Sequence, residues 1–582
     1  MIALLNLPPN LESALLLVTP LLPLLIASIF IVPAWRGGAL VLSPFAGMAG
    51  LLTSLLVRTD TTLDLSWHLL GSRMGLDSTG QTFLLFTALL WLLAGFFSQR
   101  YMAQYHHQPG FTAFYLLAMS GNFGLIIAQD IATFYFFFAL MSFASYVLVI
   151  HNRDKFAIYA SRVYIILVIV GELMVFAAFI LMATQANTIY LQELPPISLS
   201  PLAIFLILLG FGIKAGALPL HFWLPLAHPA APVPASAVLS GAMIKAGLIG
   251  WLRFLPLGNQ SLPEWGSLVI VAGLAAAFYG ALVGISQPNP KTVLAYSSIS
   301  QMGLITIGIG IGLIEPGLWS LTLPAILLYA LHHGLAKGAL FLGVGITNAQ
   351  LSRIARSWST AVMVLPALAL AGAPFTSGIL AKSALKAAIP STLFPWSEWL
   401  DVLLPLAAVG TTLLMVRFIY LIWQQPQGKE PLKLSTWLAW AILLLCAASI
   451  AWVIPEAVDF RSYSLKVDTM WSGLWPIGLA LLVSILARII SSRWDRIHYP
   501  HFPAGDLVVI VDWFAKQVRR PTMGRTMALV QNGMADFQAA LHTLKPARFL
   551  SQIERHLADF TVIGVLLLFI GLVIIVIAIA AL

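Results

Sequence analysis

Six ionisable side chains stand where an apolar chain has least reason to keep them. Lys214, Lys245, Lys337 and Lys382 each interrupt a long apolar run, His333 lies four residues before Lys337, and Glu172 sits inside VIVGELMVF. A charged residue at the centre of a membrane helix costs about 3 kcal/mol on insertion scales, so such residues as a rule face an ion or proton path. The chemistry these types can do is proton transfer. Histidine titrates near neutrality, and residues four apart share one helical face, so His333 and Lys337 can pass a proton along it. Of the 22 acids only Glu172 falls near the middle of an apolar run, and Lys214, one run later, is its natural cation. His332 and His333 alone are too few ligands for a metal, and the single Cys446 holds no cluster. We expect no metal and no cofactor.

The elements that must position these groups are helices with breaks. Residues 208–253 read as an apolar helix carrying Lys214, a break at Pro219, and a short polar passage with His221 and His228. Pro229, Pro232 and Pro234 then lead into a second apolar helix carrying Lys245. Further on, Gly372, Pro374 and Gly378 break another helix just before Lys382. Broken helices at corresponding positions of two halves, each beside a charge, are the sequence sign of inverted-repeat transporters. Between them, KTVLAYSSISQMG carries Tyr296, Ser297, Ser298, Ser300 and Gln301; hydroxyls in membrane helices bond to neighbouring helices or line water. His221, His228, Pro219, Pro374, Ser297 and Ser300 are the expected supports of the path. Lys386 is expected to reach the interface with its charge in water, whereas Arg417 needs a carbonyl or an acid.

Composition places all of this in a bilayer. The 582 residues are 60% hydrophobic and 9% charged, and apolar runs of the roughly 20 residues needed to cross a hydrocarbon core recur throughout. We read an all-α polytopic membrane protein of sixteen spans, and the alternation of an outer-membrane barrel is absent. The expected organisation is spans one to three in 1–109, a five-helix unit in 110–254, a second in 265–424, two spans in 434–490, a cytoplasmic-surface amphipathic segment in 491–559 and a last span in 560–582. Residues 58–79 are too polar to span and form an external loop, and His106 and His107 read as surface histidines. The N-terminus lacks a basic region, so it reads as a first span and not as a cleaved signal. Of 31 Lys and Arg, 20 fall on one side of the predicted membrane and 5 on the other. The positive-inside rule then puts both termini outside, and the net charge of +9 reports topology, not nucleic-acid binding.

Four motifs in order, KAGALPLHFWLPLAHPAAPVPASAVLSGAMIKAG, KTVLAYSSISQMG, HHGLAKGALFL and GAPFTSGILAKS, resemble the antiporter-like membrane subunits of respiratory complex I. That family also includes subunits of membrane-bound hydrogenases of the formate hydrogenlyase type, multi-subunit sodium/proton antiporters and an inorganic-carbon uptake system. The resemblance covers about residues 75–425 and implies two inverted five-helix repeats with broken helices seven and twelve. It also implies a lateral C-terminal segment, partner subunits in the membrane and the cytoplasm, and a bacterial cytoplasmic membrane. It assigns Lys214 and Lys245 to helices seven and eight, His333 and Lys337 to helix eleven, and Lys382 to helix twelve, with protons or sodium ions as cargo. Three positions depart from the pattern: Ala139 stands where helix five usually has an acid, Asn289 replaces a loop acid, and Ser383 follows Lys382. The first departure suggests that Glu172 serves in place of the missing acid. Two other readings stay open at this point, a non-pumping anchor of a redox complex and the membrane half of a carbon-uptake machine.

Overall fold

The computed structural model describes residues 7–105, 107–194, 198–389, 397–426, 428, 431–493 and 502–505. The expected amphipathic segment (apart from 491–493 and 502–505), the last span and His106 lie outside them.

Helices dominate, and their boundaries follow from local chemistry. α1 (Pro9–Ile29) is followed by α2 (Arg36–Leu42) and α3 (Gly47–Leu56), which together with short 3₁₀ turns make one apolar crossing. The polar loop after it holds a two-stranded antiparallel hairpin, β1 (Thr62–Leu65) with β2 (Ser72–Gly75). Then come α4 (Ser78–Tyr101), α5 (Gln108–Ile127), α6 (Ile131–Val149) and α7 (Lys155–Ala186). Three of these start at an aspartate: Asp77, Asp130 and Asp154 accept from the backbone N–H of Gly80, Thr133 and Ala157 at 2.6, 2.8 and 2.7 Å. Such a cap satisfies a donor the first turn leaves open and contributes about 1 kcal/mol.

The seventh expected span is short. α8 (Pro201–Ala215) is fifteen residues long, and after a turn the chain resumes as α9 (Trp223–Ala230), then α10 (Val233–Val238), a π-helical turn at Leu239–Met243, and α11 (Lys245–Phe254). α12 (Pro263–Ile285), α13 (Pro290–Ile314) and α14 (Trp319–Thr347) follow. The twelfth expected span is split as well, into α15 (Arg353–Ala371) and α16 (Ser377–Ala387). α17 (Leu400–Gln424), α18 (Leu434–Val453), the short α19 (Val458–Ser464) and α20 (Val467–Arg493) complete the described chain. Among the described residues fourteen helical segments are long and apolar enough to cross a membrane.

Both breaks are made the same way. α8 ends at Gly216 (φ 72°) and α15 at Gly372 (φ 91°), each left-handed. The next N–H reaches back to the carbonyl five residues earlier, Ala217 to Gly212 at 2.9 Å and Ala373 to Leu368 at 3.0 Å. This C-terminal motif satisfies the last carbonyls and needs a residue tolerant of positive φ. The breaks also reach the surface, where Pro219 and Phe375 are exposed.

The core sits around α13 and α14, whose spans are buried throughout, with α4 and α10–α11 against them. α14 meets the π turn at two glycines: a Cβ on Gly241 would fall 2.7 Å from the Gly334 carbonyl oxygen, and one on Gly334 would fall 2.8 Å from that of Gly241. Gly334, beside His333, therefore serves close backbone approach, whereas Gly338, beside Lys337, faces the Leu90 side chain. At the two ends of the bundle polar groups bind loops to helices. Arg253 forks onto Asp77 (3.1 and 3.2 Å) and the Ile126 carbonyl (2.8 Å). Asn152 and Lys291 donate to the Ala230 and Ala231 carbonyls at 3.1 and 2.6 Å. Lys386 pairs with Asp401 at 3.1 Å, and Arg417 finds the carbonyl it needs on Gln287 at 3.2–3.3 Å. In the α6–α7 loop, burial against Phe111 and the charges of His107 and Arg153 push His151 down to about 4, so it stays neutral.

Candidate functional site

Lys214 lies in the last turn of α8, two residues before the break, and is 3% exposed. Its ammonium donates to Ser142 Oγ on α6 at 3.0 Å and to Tyr164 Oη on α7 at 3.1 Å, with the rings of Phe138 and Tyr164 5.9 and 5.5 Å away. Tyr164 packs edge-on against Trp223 at the start of α9, whose indole N–H donates to the Ile213 carbonyl at 2.7 Å. The two halves of the break are thereby joined around the lysine. Glu172, on α7, is also buried, with Oε1 making no hydrogen bond among the described residues, and its charged neighbour is Lys214. No direct ion pair joins Glu172 to Lys214 among the described residues. In place of the expected carboxylate, the Lys214 ammonium is held by the hydroxyls of Ser142 and Tyr164. Ala139, one turn before Ser142 on α6, is half-buried.

Lys245 opens α11 and is fully buried, as is Lys337 on α14. Lys245 Nζ donates to the Ser240 carbonyl in the π turn at 2.6 Å. The Ser240 and Ser298 hydroxyls meet at 2.8 Å, Ser298 donates to the Leu294 carbonyl at 3.0 Å, and Lys337 Nζ donates to the same carbonyl at 2.7 Å and to Ser297 Oγ at 2.7 Å. The two lysines thus sit on one polar cluster of α10–α11, α13 and α14, interrupted at Ser240, whose carbonyl holds Lys245 and whose hydroxyl meets Ser298. His333 is buried with both ring nitrogens without a hydrogen-bond partner among the described residues, and its charged neighbours are Lys245, Lys337 and His332.

The contact towards the second break is made by the adjacent histidine. His332 Nδ1 lies 2.8 Å from Ser377 Oγ, at the first residue of α16, and its charged neighbours include Lys382 and Lys245. Lys382 Nζ donates to the Ala371 carbonyl at 2.7 Å, the last residue of α15. There the negative end of a helix dipole favours a cation. A cavity of about 190 Å³ opens beside it, lined among others by Tyr329, Gly372, Asp468 and Ser472. That is room for several water molecules at about 30 Å³ each. Tyr329 donates to Gln301 Oε1 at 3.0 Å, and Gln301 Nε2 to Thr411 Oγ1 at 3.0 Å.

The expected supports divide. Ser297 holds Lys337, and His228 is buried, stacked on Phe341 at 4.6 Å, with Lys291, Lys337 and Lys245 as its charged neighbours. His221 is buried edge-on to Tyr279 at 4.9 Å, and Pro219 and Pro374 lie in the two breaks. Ser300 is not brought to the lysines; it donates to the Ala277 carbonyl on α12 at 2.8 Å. Sequence reading overlooked Ser142, Tyr164, Ser240 and the cavity residue Asp468. The signals available were one hydroxyl a helical turn from Ala139 and another five residues before Lys245.

Buried lysines and histidines set among hydroxyls and carbonyls, with a broken helix beside Lys214 and another beside Lys382, are groups that can hold protons. The family model described as "NADH:quinone oxidoreductase/Mrp antiporter, TM" matches residues 128–419. Hydrogenase-4 component B of Escherichia coli K12 is 32% identical over 333 residues, 53% of this chain and 49% of that protein. Na(+)/H(+) antiporter subunit A1 of Staphylococcus aureus is 27% identical over 477 residues, 72% and 59% of the two chains. The chain thus spans about half to three-fifths of the length of these relatives. In fold it is similar to a chain of the Mrp complex from Dietzia sp. DQ12-45-1b, with a TM-score of 0.67 at 20% identity over 92% of this chain and 63% of that one. It is similar also to a chain of the archaeal membrane-bound sulfane sulfur reductase, with a TM-score of 0.62 at 18% identity over 79% and 99%. The buried lysines at 214, 245, 337 and 382 all fall inside the matched region, and this multi-pass membrane protein belongs to the NADH:quinone oxidoreductase/Mrp antiporter membrane-subunit family.

Proposed function

We propose that this chain is the proton-translocating, sodium/proton antiporter-like subunit of a larger energy-converting membrane complex. Protons move through Glu172, Lys214, Lys245, His333, Lys337 and Lys382, with His332 at the second break. The observation that carries the reading is that Lys245 and Lys337 are both fully buried on one polar cluster, Lys245 on the Ser240 carbonyl and Lys337 on the Leu294 carbonyl and Ser297, with the Ser240 and Ser298 hydroxyls 2.8 Å apart. Burying two lysines this deeply is costly unless they serve a path, and two surface breaks flank them. The reading treats 110–254 and 265–424 as inverted units, each contributing one broken helix. Neighbouring membrane and cytoplasmic subunits supply the driving free energy. By the positive-inside rule, the reading takes the side richer in Lys and Arg as the cytoplasm of a bacterial cell, with both termini outside.

Everted membrane vesicles from cells producing the chain with its neighbouring subunits test this. Respiration acidifies the vesicle interior, and a pH-sensitive dye follows that gradient before and after NaCl or KCl is added. We expect the gradient, or its collapse on adding NaCl, to depend on the chain. Vesicles lacking the chain that behave identically in both phases would overturn the reading.

A further inference from the structure

The cavity of about 190 Å³ beside the second break is shared by three helices, α16, α17 and α20. α20 is packed directly onto the break. A Cβ on Gly473 would fall 2.6 Å from the Gly372 carbonyl oxygen, and one on Gly372 would fall 2.9 Å from Lys382 Cδ and 3.4 Å from its Nζ. One turn nearer the start of α20, Asp468 and Ser472 line the same cavity; four residues apart, they share one helical face. Asp468 is exposed and Lys382 half-buried, so the cavity leads from the surface to the lysine. The titratable groups that line it with Lys382 are Tyr329, Lys386, Tyr463 and Asp468. Tyr329 is engaged with Gln301 at 3.0 Å, and Lys386 with Asp401, outside the cavity lining, at 3.1 Å. Asp468 is the one carboxylate of the lining, and it makes no ion pair among the described residues.

We propose that Asp468 is a further residue of the proton path, the carboxylate that exchanges protons with Lys382 across water in this cavity and with the solution at its mouth. An N–H bond of the Lys382 ammonium breaks as its proton joins a water molecule. That water gives up one of its own protons to the Asp468 carboxylate. Lysine is left a neutral amine, aspartate a neutral carboxylic acid and the water unchanged. The acid then loses its proton to the bulk solution, and Lys382 is recharged from the protein side. The volume accommodates the water at about 30 Å³ per molecule. The same lining disfavours a bound metal cation, because two ammonium groups, Lys382 and Lys386, face it and like charges repel at this range. By its charge excess the reading puts this mouth on the outer face, and the proposal rests on that proton-translocating reading.

The test uses the intact complex in the vesicle assay together with thiol labelling. Asp468→Asn should slow proton translocation about fivefold at matched assembly, less than loss of a buried carrier, because solvent at the mouth can still take the proton directly. Asp468→Glu, which keeps the carboxylate, should retain most of the rate. Ser383→Asp, which puts an acid in the same cavity from α16, should restore most of it to Asp468→Asn. For the route itself, Ser472→Cys in a Cys446→Ala background should react with a membrane-impermeant methanethiosulfonate applied to the outer face of intact cells. It should not react in everted vesicles, which present the cytoplasmic face. A wild-type rate in Asp468→Asn, a rate in Asp468→Glu as low as in Asp468→Asn, or no labelling of residue 472 from the outer face overturns the proposal. Failure of the underlying reading shows separately, as undiminished transport in Lys337→Ala.

Discussion

Lys337→Ala is expected to leave an assembled complex that moves protons at least about tenfold more slowly than the wild type, a barrier increase of ~1.4 kcal/mol or more. The lysine holds the junction of α13 and α14 through the Leu294 carbonyl and Ser297. Its removal leaves that junction, which the Ser240–Ser298 contact ties to the turn holding Lys245, without its proton carrier. Truncation also empties the space of its buried stem, so Lys337→Met serves as the control that fills the volume without restoring the charge, and it should be as slow. Lys337→Arg separates two roles. A guanidinium keeps the positive charge but does not release its proton in a protein. If Lys337 only supplied a fixed field, arginine would suffice. Because the residue carries protons, arginine should be nearly as slow as alanine, as measured by dye quench at matched amounts of complex in the membrane.

Glu172→Gln is expected to be the second severe variant. Glutamine keeps the shape but removes the only acid near the centre of a span, and with it the charge that acts on Lys214. Lys214 then keeps neutral partners alone, and the proton has no base to move to. Translocation should fall about tenfold or more, with assembly intact. Ala139→Glu added to Glu172→Gln should recover part of the rate, because α6 presents residue 139 one turn from Ser142. Wild-type rates in Glu172→Gln would show that Glu172 is merely tolerated.

How much of this was legible in the sequence depends on how rare each signal is in a membrane helix. Lysines at 214, 245, 337 and 382 and the acid at 172 stand out because insertion penalises them. The two breaks stand out because Pro219 interrupts one apolar run and Gly372, Pro374 and Gly378 interrupt the other. Hydroxyls carry no such flag. Ser142, Ser240 and Ser298 are inexpensive in any membrane helix, and only the packing of α6 on α7 and of the π turn on α13 shows which of them meet a lysine. The π turn also defeats helical counting. Residues 240 and 245 lie on different faces of a regular α-helix, yet the widened turn brings the Ser240 carbonyl to the Lys245 ammonium. Pi turns of this kind recur at functional sites. His332 was passed over for His333 because i, i+4 spacing pairs 333 with Lys337, while the contact of His332 is Ser377, 45 residues away in sequence. Asp468 enters the cavity beside Lys382 from α20, a helix with no sequence link to it.

The central claim is that the buried lysines of both halves of the chain carry protons, and Lys245 shares its polar cluster with Lys337. The most direct measurement is proton translocation by the intact complex carrying Lys245→Met, compared with wild type at equal assembly, since methionine fills the buried space without a proton to give. The account predicts that translocation is lost. Translocation at the wild-type rate in that variant would contradict it.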